Sequence, residues 1–137
     1  MKRKHDIIVL IFGVSGMLGS TVFRFFSRST GFEIYGTVRT SSHPACLSSG
    51  NESRVITDVD VESPDRLARV FAEIQPDLVI NCVGLVKQVA EADNALAAIP
   101  INALLPHRLA ALCRVSGARL IHISTDCVFS GSKGMRT

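Results

Sequence analysis

What this sequence lacks excludes several classes of protein. No apolar stretch is long enough to span a bilayer, so no membrane partner is expected. A basic start, Lys2-Arg3-Lys4, precedes an apolar run as in a secretory signal. However, the run covers only Ile7 to Phe12, Asp6 interrupts the approach, and no A-x-A-like cleavage site follows. No basic stripe with interleaved aromatics appears elsewhere, and the net charge of +3 owes part of its excess to that terminus, which reads as a solvated end. Nucleic acid is therefore not an expected partner. The four cysteines, Cys46, Cys82, Cys113 and Cys127, show neither a C-x-x-C nor a paired spacing. They read as reduced, mostly buried thiols of a cytoplasmic protein. The four histidines, His5, His43, His107 and His122, are too scattered to argue for a metal. With 47% apolar and 20% charged residues over 137 positions, the composition is that of one globular domain with its own core. No internal repeat, linker or second domain is visible.

The chain is organised around Gly13-Val14-Ser15-Gly16-Met17-Leu18-Gly19, which follows the unbroken apolar run Ile7–Phe12 and opens a helical segment from Met17 to about Ser27. A buried strand, a glycine turn and a helix N-terminus together suit a dinucleotide pyrophosphate. Gly13 permits the sharp turn, Gly16 lets backbone approach the phosphates, and Gly19 lets helix and strand lie close. The spacing is G-x-x-G-x-x-G rather than G-x-G-x-x-G, and a merely tight strand-to-helix turn is the alternative.

Further along, Glu33–Val38 reads as a second strand, followed by Arg39-Thr40-Ser41-Ser42. An NAD site would place an acid there for the ribose 2′-OH, and none is present. Arg39, about 20 residues beyond Gly19, is flanked by hydroxyls and suits a 2′-phosphate, which favours NADP(H) over NAD(H); an exposed loop arginine is the other reading. His43–Ser53 reads as a loop and Arg54–Thr57 as a short third strand. Asp58-Val59-Asp60 follows, where a carboxylate suits either the adenine amino group or a helix cap. Ser63 and Pro64 start a helix with Leu67, Val70, Phe71 and Ile74 inward. Leu78–Asn81 is the fourth strand, and the small residues of Cys82-Val83-Gly84 suit either a nicotinamide ribose or ordinary packing. Val86–Ile99 reads as becoming helical. Asn102–Ser116 reads as a helix that Pro106 either kinks or begins, with Gly117 past its end, and Arg119–Ser124 as the fifth strand. Strands alternating with helices predict an α/β fold: a Rossmann-like, doubly wound parallel sheet in the order 3-2-1-4-5.

Ser124-Thr125-Asp126-Cys127-Val128-Phe129-Ser130-Gly131 resembles the S-T-D-x-V-F-x-G segment of dTDP-4-dehydrorhamnose reductase-like proteins, a branch of the extended short-chain dehydrogenases/reductases. The similarity extends to the three glycines, Asp58-Val59, Asn81-Cys82-Val83-Gly84 and Asn102. The run from Asn81 to Gln88 is similar to members that build nucleotide sugars for surface polysaccharides. The resemblance implies hydride transfer between a nicotinamide cofactor and a sugar carbonyl or carbinol carried on a nucleotide. It implies Ser124 and Thr125 at the catalytic centre, with Thr125 on the reacting oxygen; a hydroxyl that caps the strand-end turn is the alternative. The cofactor-contacting set it implies is Gly13, Ser15, Gly16, Met17, Leu18, Gly19, Arg39, Thr40, Asp58, Val59, Cys82, Val83, Gly84, Val86 and Asn102, with no metal. In such proteins a tyrosine is the acid/base and a lysine four residues later lowers its pKa. This chain has one tyrosine, Tyr35, and no Tyr-x-x-x-Lys. It is therefore expected to be the N-terminal portion of a longer fold, ending before the catalytic helix and the substrate lobe.

Two functions of different class are compatible with these residues. The first is the NADP(H)-binding part of a sugar-nucleotide reductase or epimerase, inactive as it stands, whose nucleotide-sugar substrate belongs to the full-length protein. The second is a non-catalytic dinucleotide-binding regulatory or sensor module. A thiol-redox protein using Cys82 or Cys127 is weaker, since neither has an activating base nearby in sequence. A homo-oligomer is compatible with such folds, and the sequence leaves the oligomeric state open.

Overall fold

The computed structural model describes residues 6–41, 52–85 and 94–124. Strand β1 (Ile7–Phe12) is central, with Val9, Leu10, Ile11 and Phe12 all fully buried. Successive side chains of a strand point to opposite faces, so β1 feeds two cores at once. Leu10 and Phe12 pack with Leu67, Val70, Phe71, Leu105 and Leu109 on one face. Val9 and Ile11 pack with Val14, Phe23, Ile34 and Ile80 on the other. The helices responsible are α1 (Met17–Ser27) on the second face, and α2 (Pro64–Ile74) and α4 (Leu105–Ser116) on the first. Strands β2 (Phe32–Thr37), β3 (Val55–Ile56), β4 (Leu78–Asn81) and β5 (Arg119–His122) complete a five-stranded sheet in the order β3-β2-β1-β4-β5, every pair parallel. This is the Rossmann-like doubly wound arrangement that the alternating pattern predicted.

The elements depart from their expected bounds where hydrogen bonding is redirected. Strand β2 lies one residue earlier, because the Thr37 carbonyl accepts the amides of both Gly13 (3.2 Å) and Val14 (3.1 Å) as β1 turns away. Val38 is passed to the neighbouring segment, donating to Ile56 O and accepting from Val59 N, each at 3.0 Å. Arg54 closes a 3-10 turn (Glu52–Arg54) instead of starting β3.

The two helices expected near Asn102 are one continuous helical segment, Ala95–Ser116. It comprises α3 (Ala95–Ala98), a π-helical stretch (Ile99–Leu104) and α4. Asn94 caps its start by accepting the Leu96 amide at 3.0 Å. Pro106 stands second in α4, so it marks the start of regular helix; Pro100 stands second in the π stretch. A proline's missing N–H costs little at the first turn of a new hydrogen-bonding register. The joined segment has the length and apolar composition to cross a bilayer, which the stretch-by-stretch reading did not anticipate. Its Leu105, Leu109 and Cys113 are buried beside α2 in the core on the first face of the sheet.

Candidate functional site

The turn from β1 into α1 shows why each of its glycines is there. Gly13 has φ +84°, and a Cβ on it would lie 2.9 Å from Val83 Cγ2. A Cβ on Gly19 would lie 2.0 Å from the Gly13 carbonyl oxygen, so helix and strand touch through it. On Gly16 a Cβ would meet only the Gly13 oxygen, at 3.5 Å, and Gly16 instead opens onto a cleft. Gly16 is also the N-cap of α1. No side chain caps that end and no acid stands in its first turn. By contrast, Ser63 caps α2 and Asn94 caps α3. The first amides of α1, with the positive end of its dipole, are thus offered outward.

The cleft has a volume of about 260 Å³ and lies at the carboxyl ends of β1, β2 and β4. From the expected set it brings together Gly13, Ser15, Gly16, Arg39, Val59, Cys82, Val83 and Gly84. It adds Asp60, whose carboxylate was offered to the adenine amino group or a helix cap, and Thr37, Val61, Glu62, Leu85 and Ile101, which sequence reasoning did not single out. All of these but Ile101 lie at or beyond strand ends, where open α/β sheets gather ligands, so that rule could have flagged them. Nothing in the sequence pointed to Ile101.

Among the described residues, the other expected ones stand outside the lining. Met17 and Leu18 are exposed on the first turn of α1, and Gly19 is taken up in packing. Thr40 is exposed next to Arg39, and Ser124 is exposed beyond β5. Asp58 holds a left-handed turn (φ 57°). Its carboxylate accepts the Thr57 hydroxyl at 2.9 Å, and its carbonyl accepts Arg66 Nε at 3.2 Å. Asn102 clamps the cleft wall from behind, donating to Leu85 O at 3.0 Å and accepting from Leu85 N at 2.8 Å. Val86, Thr125 and Cys127 lie outside the described residues.

Beneath the wall is Asn81, fully buried at the end of β4. Its Oδ1 accepts the Val83 amide at 3.1 Å, and its Nδ2 lies 3.1 Å from His122 Nδ1. The Cys82 thiol is half-buried, and burial pushes its pKa up, opposite to the shift that activates a thiolate. Tyr35 is absent from the cleft lining. Its hydroxyl donates to Glu33 Oε1 at 2.6 Å; that bond, then burial and the Glu33 charge, raise its pKa, while the Arg54 charge lowers it.

A parallel sheet in this order, wound on both faces and opening through a glycine turn onto its carboxyl-end crevice, defines a Rossmann-like α/β domain. Within that class the chain belongs to the RmlD substrate binding domain family, which it matches over residues 7–136. It is 31% identical over 123 residues to a probable low-salt glycan biosynthesis reductase, Agl14, of Haloferax volcanii, covering 87% of this chain and 37% of that protein. It is 39% identical over 75 residues to a dTDP-4-dehydrorhamnose reductase of Mycobacterium tuberculosis, covering 55% of this chain and 24% of that one. The crystal structure of a dTDP-4-dehydrorhamnose reductase from Bacillus anthracis in complex with NADP matches with a TM-score of 0.68 at 25% identity, over 95% of this chain and 40% of that one. The chain thus spans well under half the length of these proteins.

Proposed function

We propose that the cleft holds the adenosine and pyrophosphate of a nicotinamide dinucleotide, NADP(H) in preference to NAD(H), and that the complete protein is a reductase or epimerase of nucleotide-linked sugars. One observation carries this reading. The uncapped N-terminus of α1 opens through Gly16 onto a cleft that Arg39 also lines. An anion at that helix end accepts amide hydrogen bonds and meets the positive end of the dipole. A second anion, the 2′-phosphate, suits the planar guanidinium of Arg39. The Asp60 carboxylate lines the same cleft, but one of its oxygens is engaged by the Glu62 amide at 3.0 Å. Val59 and Val61 supply apolar surface for a base, and Cys82-Val83-Gly84 a close wall for the second ribose.

A nicotinamide dinucleotide supplies or accepts a hydride when bound. The hydroxyls of Ser124, just past β5, and of Thr125, next to it in sequence, would orient the substrate oxygen on which charge develops. The reductase names of the relatives and the NADP in the Bacillus anthracis complex support this reading. The reading places the protein in the cytoplasm, with a nucleotide sugar as substrate of the complete protein and no membrane or nucleic-acid partner. With one tyrosine and no Tyr-x-x-x-Lys in its sequence, the present chain binds cofactor without turnover.

The test is to titrate NADPH and NADH against the chain, following nicotinamide fluorescence. NADPH should bind tighter by about tenfold or more, since a hydrogen bond to a charged group contributes about 1.5–3 kcal/mol. Arg39→Ala should bring the two affinities together. Equal affinities in the unmodified chain overturn the NADP preference, and binding of neither cofactor overturns the reading.

A further inference from the structure

We propose that His122 is a positioning residue of this cleft: as a neutral acceptor, protonated on Nε2, it sets the Asn81 amide and through it the Cys82–Gly84 turn. The inference rests on the dinucleotide reading above. The Val83 backbone N–H can only donate, so the Asn81 atom 3.1 Å from it is the oxygen. That orients the Asn81 NH2 toward His122 Nδ1, 3.1 Å away. An NH2 also only donates, so His122 Nδ1 must carry the lone pair and Nε2 the proton.

Asn81 and His122 are register partners on adjacent parallel strands, and the Ile123 amide donates to Asn81 O at 3.1 Å. The pair is therefore held by main chain as well as side chain. Asn81 is fully buried, so an amide hydrogen without an acceptor there is costly. If His122 no longer accepts, the Asn81 amide turns to find another partner and its oxygen leaves Val83 N–H. Val83 lines the cleft, and its side chain fills the space that a Cβ on Gly13 would need, so its displacement reaches the first glycine of the cofactor turn. The same strand end leads directly to Ser124. The contact thus joins the cofactor wall to the end of β5, where the resemblance puts the catalytic hydroxyls.

The experiment combines ring-nitrogen NMR of the 137-residue chain with NADPH titration of His122→Gln, His122→Phe and His122→Lys. His122 is assigned as the imidazole missing from the His122→Gln spectrum. At neutral pH it should appear as a single Nε2–H tautomer with Nδ1 accepting. His122→Gln keeps an acceptor oxygen and should bind NADPH within about twofold of the parent. His122→Phe has no acceptor and His122→Lys opposes a donor to a donor, so both should weaken NADPH binding by about fivefold or more. An Nδ1–H or averaged tautomer overturns the proposal even if a variant fails to fold. It is equally overturned if NADPH binds the parent while His122→Phe and His122→Lys bind as tightly. Failure of the parent to bind NADPH overturns the dinucleotide reading itself, and the positioning role with it.

Discussion

At positions 16 and 19 one substitution, glycine to alanine, meets opposite surroundings. Alanine is the better helix former by about 1 kcal/mol, which taken alone favours Gly19→Ala inside α1. The added Cβ would stand 2.0 Å from a backbone oxygen that cannot rotate away, and that term dominates. Gly19→Ala should destabilise the chain by about 3 kcal/mol or more in urea unfolding. Gly16 has extended, ordinary dihedrals (φ −78°, ψ 164°), and its Cβ would clash with nothing. Gly16→Ala should leave stability within about 0.5 kcal/mol and yet weaken dinucleotide binding by about tenfold, because the methyl enters the space proposed for phosphate. Tyr35 gives a prediction of a different kind. Its raised pKa means that the folded state holds the phenolic proton more tightly than the unfolded chain does. The stability it contributes is therefore complete below the ordinary value of 10.0 and is lost as pH rises through the raised folded value. Between neutral pH and about pH 11, the parent should lose more stability than Tyr35→Phe, as read from the difference in their urea midpoints.

Among the elements, α2 shows how local chemistry made a boundary readable. Ser63 accepts the Arg66 amide at 3.3 Å, Pro64 stands first in the helix, and Asp65 adds an acid in its first turn. The first two signals were read from the sequence. Ser63→Ala should cost about 1 kcal/mol, measured as a shift in urea midpoint at unchanged slope. Strand β1 and the sheet order were readable for a related reason: a six-residue apolar run beside a glycine turn has few other uses. The Ala95–Ser116 segment was not readable as one piece, because Pro100 and Pro106 each signal a break when the helix is taken to keep one register. A π stretch that changes register between them leaves no local sequence mark. The end of β2 failed by one residue for a tertiary reason, the double use of the Thr37 carbonyl by the turn after β1.

At the scale of the whole molecule, the cleft is assembled from the ends of the central strands. The parts legible in sequence were the glycine turn and the arginine, whose chemistry is local, and, with alternatives left open, Asp58-Val59-Asp60 and Cys82-Val83-Gly84. Glu62 and Leu85 reach the cleft only because parallel strands end side by side, and the Asn81–His122 contact joins positions 41 residues apart. That construction has a thermodynamic consequence. The cleft is lined from β1, β2 and β4, and β1 serves both cores, so a ligand that binds there grips elements that must unfold together. NADPH at 100 times its dissociation constant should then add about 2.7 kcal/mol to the stability of the folded chain. For a domain of this size that is a rise of about 10 °C in Tm, in a single sharpened transition. NADH should need about tenfold more ligand for the same rise, and Gly16→Ala, binding about tenfold more weakly, should cut the rise to about half at that NADPH concentration while melting normally without ligand. A scan in which saturating NADPH leaves Tm unmoved would show that the strand ends do not form one binding site. A rise equal for both cofactors would instead remove Arg39 from the recognition of the ribose.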